Sequence, residues 1–343
     1  MKRRRKLRVD LEKLLAELGV DAHRSGNEWR GHCPEPHHQA VFGSSAATKQ
    51  GPGTWQINAE GFHHCYSCKW GGGPITLVAA VLEITGKEAY RWLKGFRGTE
   101  SLPDRTEAWF QRKLPEEPML RYPTGTRALW RDVPQELEDA VAYLLGRGLT
   151  MAEIERWRIG GVPEHERRYG GRVIVPIVID GRMVDFVARL FVDRPSHISK
   201  ALSGRRDAGA MKEYSLWGYD ELDPSLDTVH VVEGVWGGVA CLHAGLLNVT
   251  ASCGSTWSEE RTALLEPWDR IVMIPDGDAA GSQMVARASS LRFGHEVLEV
   301  DLADVVQPDR AEPGHLLALV KGAVPAQFVH LQEAHIAGWT EKF

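Results

Sequence analysis

Two stretches of this sequence run from an apolar strand directly into carboxylates. The first reads Val229-His-Val-Val-Glu233-Gly234, and the second reads Ile271-Val-Met-Ile-Pro-Asp276-Gly-Asp278, with Asp276 43 residues after Glu233. Around them, apolar strands alternate with helices. The strands are expected at 228–232, 246–251, 271–275 and 296–301, and the helices at 235–244, 257–266 and 279–291. Such alternation predicts a parallel sheet flanked by helices, whose strands end at one common edge.

The acids at these strand ends predict a divalent metal site. Carboxylates that converge at one edge repel each other, and a divalent cation removes that cost. Hard oxygen ligands favour magnesium or manganese. Two such ions can activate an attacking hydroxyl and stabilise the leaving oxygen of a phosphate. Each part also has another interpretation, because Asp276-Gly-Asp278 is typical of a helix N-cap or turn, and Glu233 can cap the helix that follows it.

A second cluster of metal-binding residue types lies near the amino terminus. Cys33-Pro-Glu-Pro-His37-His38 is followed by Cys65-Tyr-Ser-Cys68, and thiolate and imidazole are the ligands that tetrahedral zinc prefers. The predicted ligands are Cys33, His38, Cys65 and Cys68, with His37 competing for the second position. Four such ligands predict a closed structural site. The alternative is a set of reduced cysteines beside surface histidines, while the odd count of five cysteines argues against a disulfide framework.

The chain divides into regions of different composition. We expect a zinc-binding domain with a basic tail at 1–94, a Pro- and Gly-rich linker at 95–134, a basic subdomain at 135–222, the α/β domain at 223–320 and a tail at 321–343. Helical spacing predicts a helix over 74–94 and two helices within 135–159. Asp180-Gly181 predicts a hairpin turn between two strands, so the basic subdomain is expected to be α+β.

Charge separates along the chain. Residues 1–219 carry 34 basic and 27 acidic side chains, a net of +7, whereas residues 220–343 carry 7 and 19, a net of −12. One part suits a polyanion and the other suits cations, although segregation by chance is the alternative. No apolar run approaches the ~20 residues of a membrane span, and no signal-peptide pattern follows the basic start. A cytoplasmic protein without membrane contact is therefore expected.

The motifs resemble those of a known family. His64-Cys-Tyr-Ser-Cys-Lys-Trp-Gly-Gly-Gly-Pro-Ile-Thr-Leu resembles the zinc ribbon of DnaG-type and bacteriophage DNA primases, and the Cys33–His38 stretch resembles the phage form, which favours His38. Glu233, Asp276 and Asp278 resemble the acidic motifs of the Toprim domain, with Ser252-Cys-Gly-Ser-Thr256 similar to the turn between them. Stretches within 143–160, 171–189, 199–204 and 216–222 are similar to the primase subdomain that precedes Toprim. The resemblance covers most of residues 28–320.

Two positions depart from the family pattern. Primases usually carry Asp-Pro-Asp where this chain has Gln307-Pro308-Asp309, so only Asp309 joins Glu233, Asp276 and Asp278 as an implied catalytic residue. Many primases also have an acid four residues after the glutamate, and this chain has Gly237 there. The number of bound metal ions stays open for this reason.

Basic and aromatic side chains suggest where nucleic acid binds. Guanidinium and ammonium groups suit phosphate oxygens, and the candidate phosphate ligands are Arg172, Arg189, Lys200 and Lys212; a solvated basic strand face is the alternative. Tyr66 and Trp70, beside the zinc ligands, are candidates for stacking on template bases. Packing inside the small domain is the favoured alternative for Trp70.

What the resemblance implies is RNA primer synthesis on single-stranded DNA by metal-dependent nucleotidyl transfer from NTPs. The product is a primer–template heteroduplex, the zinc is structural, and magnesium or manganese is catalytic. The sequence has no Walker A motif for a fused motor, so a separate replicative helicase is the expected partner. A phage or mobile-element origin would place the protein in the host cytoplasm. The alternative function is a single-stranded-DNA-binding Toprim protein that is a nuclease or a non-catalytic replication or recombination factor.

Overall fold

The computed structural model describes residues 8–36, 54–59, 61–68, 70–84, 86–101, 114, 120–254, 256–290, 296–302 and 307–326. The chain forms two compact units. Among the described residues, one unit lies within 8–212 and the other within 213–326. Among the residues described, no helix combines the length and the apolar character needed to cross a membrane.

The amino-terminal part of the first unit is a small antiparallel sheet with helices beside it. Its elements are β1 (Arg8–Val9), α1 (Leu11–Glu17), β2 (Ala22–Ser25), β3 (Glu28–Gly31), β4 (Trp55–Asn58), β5 (His63–Cys65), β6 (Gly71–Gly72), α2 (Pro74–Val81), α3 (Gly86–Gly95) and β7 (Thr99–Ser101). Strands β2 to β6 form one sheet in chain order, and β1 pairs with β7. The single helix expected over 74–94 is two helices, because α2 is followed by Glu83, whose φ of 52° is left-handed and cannot continue a helix.

A second antiparallel sheet follows in the same unit. Its region contains β8 (Arg127–Ala128), α4 (Glu138–Gly146), α5 (Met151–Arg156), β9 (Gly160–Val162), β10 (Arg172–Ile179), β11 (Arg182–Leu190) and β12 (Ala201–Ser203), and the strand order is β12-β11-β10-β9-β8. Asp180 and Gly181 both have positive φ, 54° and 73°, as a two-residue type I′ hairpin turn requires. Strands β7 and β8 lie within 95–134, so the described part of the expected linker contributes to two sheets.

The second unit is built on a mostly parallel sheet. Its elements are β13 (Thr228–Val232), α6 (Val235–His243), β14 (Val249–Ala251), α7 (Glu259–Leu264), β15 (Arg270–Ile274), α8 (Ala279–Ser290), β16 (Glu296–Glu299), α9 (Pro313–Lys321) and β17 (Val324–Pro325). The order is β14-β13-β15-β16-β17, and only β17 is antiparallel. The predicted alternation is confirmed; the two-residue β17 is too short to produce a sequence pattern.

Candidate functional site

The carboxylates predicted to converge do lie at neighbouring strand ends. Glu233 follows β13 and Asp276 follows β15, and these strands are paired in parallel with Val232 opposite Ile274. The chain after β16 brings Asp309 close enough to Asp276 to add, after burial and Asp278, to the causes that raise the pKa of that carboxyl. We call Glu233, Asp276, Asp278 and Asp309 the acidic cluster.

Two carboxyl groups of the acidic cluster have raised pKa values. Burial, together with Asp276 and Asp278, raises the pKa of Glu233 to about 7. Burial also raises the pKa of Asp276, against the opposing effect of a hydrogen bond from Gln307. The Oε2 atom of Glu233 is buried and has no hydrogen-bond partner among the described residues. An unpartnered buried carboxylate oxygen beside other carboxylates fits a divalent cation.

The spacing of the acidic cluster is open rather than tight. Among the described residues, only the three cysteines form a group of three metal-binding side chains whose ligand atoms all lie within 4.8 Å of one another, so no three side chains of the acidic cluster form such a compact group. Magnesium keeps several of its waters and is usually held by one or two carboxylates plus substrate phosphates. The wide spacing therefore suits magnesium better than an ion held by protein alone.

Asp278 caps a helix and also lies near Glu233. Its Oδ1 accepts a hydrogen bond of 2.9 Å from the Gly281 amide, which caps the start of α8. Its charge also contributes to the raised pKa of Glu233. The N-cap and metal-site interpretations of Asp-x-Asp are thus compatible.

The turn at Ser252–Gly254 supports the backbone on either side of the Glu233 side chain. The Ser252 amide donates to the Val232 carbonyl at 2.9 Å, and the Gly254 amide donates to the Glu233 carbonyl at 3.3 Å. The Ser252 hydroxyl closes the turn by donating to the Gly254 carbonyl at 2.8 Å. This stretch resembles the turn between the two acidic motifs in sequence, and its contacts show that it holds the backbone in place where β13 ends.

Gln307 is a site residue that sequence reasoning treated only as a missing acid. Its Nε2 donates to Asp276 Oδ2 at 3.1 Å. The sequence signal was present, because Gln307 stands in a motif position where carboxylates are usual, but the pattern could not reveal a hydrogen bond.

The cysteine cluster, Cys33, Cys65 and Cys68, forms a second site in the other unit. All three residues are buried, and the Cys33 and Cys68 sulfurs are 3.8 Å apart. Four sulfurs at ~2.3 Å from a tetrahedral zinc ion would lie about 3.8 Å from one another. Burial, followed by contacts with Cys65 and Cys68, raises the pKa of the Cys33 thiol, so a cation is needed to stabilise the thiolate. The three sulfurs fit zinc; His38 and its competitor His37 fall outside the described residues.

The nearby His63 is a packing residue. It is buried between tryptophans: Trp55 Nε1 donates to its Nδ1 at 3.4 Å, and the Trp70 ring centroid is 4.2 Å away. Burial, and secondarily His64, lowers the pKa of His63 to about 3, which keeps the ring neutral. Trp70 therefore packs inside the module, whereas Tyr66 is 53% exposed.

The candidate phosphate ligands divide into one buried and three more accessible residues. Arg172 is only 3% exposed, and its Nη1 and Nη2 donate to the carbonyls of Lys200 at 3.1 Å and Ser199 at 2.7 Å. Burial, with Arg194 and Arg189 nearby, lowers the pKa of Arg172. Lys200 is exposed, and Arg189 and Lys212 are half-buried. Arg172 thus holds the backbone that presents Lys200.

The same unit contains a cavity of about 790 Å³ that the sequence did not indicate. Its wall combines cationic and aromatic side chains: Arg121, Tyr122, Arg167, Arg168, Tyr169, Phe186 and Arg205. Tyr169 lies edge-on to Phe186 with ring centroids 5.3 Å apart, and the Arg168 guanidinium lies 5.5 Å from the Tyr169 ring centroid. Rings that accept a base and arginines that accept phosphate are the combination found in single-strand binders.

Comparison with known proteins gives this geometry a context. No protein-family model matches the chain. The DNA primase of Lactococcus lactis is 24% identical over 344 residues, spanning 89% of this chain and 52% of the relative. The DNA primase of Legionella pneumophila is 24% identical over 355 residues, spanning 90% and 57%. The resemblance to DnaG-type DNA primases is confirmed. The chain spans about half the length of these curated primases.

Solved primase structures agree with the fold. The RNA polymerase domain of Mycobacterium tuberculosis primase DnaG matches with a TM-score of 0.52 at 20% identity, over 59% of this chain and 81% of that domain. A DNA primase domain from Pseudomonas aeruginosa matches with a TM-score of 0.51 at 23% identity, over 60% and 78%. These likenesses concern the fold. The predicted class, an α/β domain with a parallel sheet, a basic α+β subdomain and a small β-rich cysteine module, is confirmed.

Proposed function

We propose that this chain is a DNA primase that makes short RNA primers on single-stranded DNA from NTPs. The observation that carries the proposal is the acidic cluster, in which Glu233 and Asp276 follow paired parallel strands and Glu233 Oε2 is buried without a partner among the described residues. The curated relatives that span most of this chain are DNA primases. The mostly parallel sheet would then be a Toprim-type domain.

In this proposal the acidic cluster holds magnesium or manganese. When bound, the cation would neutralise charge that develops on the phosphate oxygens. Glu233, Asp276 and Asp278 are the proposed ligands, with Asp309 contributing charge. Lys200, Arg189 and Lys212 bind phosphate of the NTP or template. The protein acts by positioning the primer 3′-hydroxyl against the NTP α-phosphate, from which pyrophosphate leaves.

Template binding is proposed for two surfaces of the first unit. The cysteine cluster, with His38 as the fourth ligand, keeps the small β module folded around zinc, and the exposed Tyr66 offers a ring for base stacking. The arginine- and tyrosine-lined cavity is suited to single-stranded nucleic acid for the same reason. A separate helicase as partner, a cytoplasmic location and a phage or mobile-element origin belong to this proposal as well.

The direct test is incorporation of labelled NTPs on a panel of single-stranded DNA templates, with zinc and magnesium present. Asp276→Asn should reduce primer synthesis at least ~100-fold, since it weakens a ligand of the cation that would neutralise charge on the reacting phosphate. The matched control is Glu266→Gln, an exposed carboxylate outside the acidic cluster, which should retain activity. Absence of product from the unsubstituted protein on every template would refute the activity.

The second candidate is a single-stranded-DNA-binding protein that cleaves DNA or has no catalytic activity. Gly237 and Gln307 favour it, because both stand where primases usually have acids. Filter binding and nuclease assays beside the primer assay separate the two functions. Tight DNA binding without NTP incorporation would favour the second candidate, and release of DNA fragments would identify it as a nuclease.

A further inference from the structure

Two departures from the primase pattern meet at one contact. A Cβ at Gly237 would be in ordinary van der Waals contact with Pro308, 3.4 Å from its Cγ and 3.5 Å from its Cβ, so the proline ring packs beside the α6 backbone. Pro308 is buried, and Gln307 precedes it in an extended conformation. The packing of Pro308 on the helix after Glu233 therefore fixes where the Gln307 side chain begins.

From this position, the side-chain amide of Gln307 extends to Asp276, which follows β15. Its Nε2 donates to Asp276 Oδ2 at 3.1 Å. A carboxylate in the same place would lie against another carboxylate and would need a proton or a cation between them. The amide removes this requirement because it brings a donor without a charge.

The acidic cluster offers few carboxylates to metal. Asp276 Oδ2 accepts a hydrogen bond from Gln307, and Asp278 Oδ1 accepts one from the Gly281 amide, so neutral donors orient both carboxylates. At position 307 the chain has an amide where a carboxylate would add a further anionic ligand. Two-metal sites hold their ions about 3.5–4 Å apart and need carboxylate oxygens for both.

We propose that Gln307 is a positioning residue that orients Asp276 and, as a neutral amide in place of a further carboxylate, restricts the acidic cluster to a single tight divalent cation. This inference rests on the proposed function for the presence of a cation. It goes beyond it in fixing the number of ions and in giving Gln307 a role. Any further ion that takes part would arrive with the NTP.

The test counts ions on the full-length, zinc-containing protein, with Mn²⁺ alone as the probe and free Mn²⁺ measured by electron paramagnetic resonance. The unsubstituted protein should bind one tight Mn²⁺. Gln307→Glu keeps the shape of the side chain but replaces the donor by a carboxylate, and it should bind two. Gln307→Ala should bind one ion about 10-fold more weakly, as expected when a group that orients a metal ligand is lost.

The matched control is Gln283→Glu, which adds the same charge at an exposed position on α8 and should still bind one ion. If Gln307→Glu folds poorly, its melting temperature with and without Mn²⁺ provides the second measurement, because an ion that binds the folded state must stabilise it. Two tight ions on the unsubstituted protein would overturn the inference. So would a Gln307→Ala variant with unchanged affinity.

The outcome is separable from that of the proposed function. Primer synthesis together with two tight Mn²⁺ ions would refute only the role of Gln307. One tight ion without NTP incorporation on any template would refute only the primase activity.

Discussion

The cysteine cluster and the acidic cluster are both suited to metal, and they differ in how much of each site is enclosed. The three cysteines are buried, with two sulfurs already 3.8 Å apart. The carboxylates lie at the edge of a sheet, where Asp278 and Asp309 are exposed, and among the described residues no three of them form a group as compact as the cysteines. An enclosed site leaves no position for substrate, whereas an open site does. A zinc ion in the first site would therefore support folding, and a divalent cation in the second would support chemistry.

The largest effect is expected from removing one thiol of the cysteine cluster, which tests whether its metal supports folding. Cys65→Ser should release zinc and unfold β3 to β6, because among the described residues of this segment the buried apolar side chains besides the cysteines are Trp55, Ile57 and Trp70. Structural zinc contributes about 10 kcal/mol or more in small zinc domains. Zinc content and hydrogen exchange over residues 54–72 measure the effect.

The control for that experiment is Cys253→Ser, a half-buried cysteine of the other unit. It should keep the full zinc content and normal exchange in the module. If Cys65→Ser also kept its zinc and its protection from exchange, the cysteines would be ordinary reduced thiols and the site would not be structural.

A smaller effect on stability is expected within the basic subdomain, where the Arg172 side chain is buried and the Lys200 side chain is exposed. Arg172→Ala leaves the Ser199 and Lys200 carbonyls without their charged donor, which should lower the free energy of unfolding by about 2–4 kcal/mol. Lys200→Ala should change it by less than ~0.5 kcal/mol. Chemical denaturation of both variants makes the comparison.

For DNA binding, the substitution of Lys200 should have the larger effect, which is the reverse of the order expected for stability. If Lys200 contacts phosphate, Lys200→Ala should reduce the slope of log affinity against log salt for single-stranded DNA by about 0.7. Arg172→Lys, which keeps the charge but loses the two-pronged donor, should lose stability while the slope stays the same. A large loss of stability for Lys200→Ala with an unchanged slope would contradict the division of roles.

For both the enclosed and the open site, the sequence predicts which residues come together. Strand ends and cysteine spacing predict which residues converge, since the carboxyl ends of parallel strands share an edge and CxxC turns bring sulfurs together. Glu233, Asp276, Cys33, Cys65 and Cys68 lie as that reasoning requires. The resemblance also identified Gly237 and Gln307 as departures.

The sequence does not predict which hydrogen-bond partner each polar side chain has in the folded protein. Arg172 has the residue type of a phosphate ligand, but its strand position buries it beside two carbonyls of a later segment. Gln307 and Asp276 are 31 residues apart, and the chain between them must fold before the amide reaches the carboxylate. The prediction of one helix over 74–94 was wrong for a local reason, since nothing in the pattern marks Glu83 as left-handed.

The smallest predicted effect tests whether the acidic cluster is strained without metal. Burial, Asp276 and Asp278 raise the pKa of Glu233 from its ordinary 4.5 to about 7. The folded state then binds this proton more tightly than the unfolded state, so stability should fall as pH rises from about 4.5 to 7. Glu233→Gln removes the charge. In buffer free of magnesium and manganese, with zinc retained, its melting temperature should equal that of the unsubstituted protein near pH 4.5 and exceed it by a few degrees at pH 8.

Glu266→Gln, at an exposed position, should show no such pH-dependent gain. Saturating Mn²⁺ should cancel the advantage of Glu233→Gln, because only the carboxylate gains a cation. A Glu233→Gln protein that melts lower than the unsubstituted one at pH 8 without metal would mean that the buried oxygen already has a partner, and the open character of the site would be wrong.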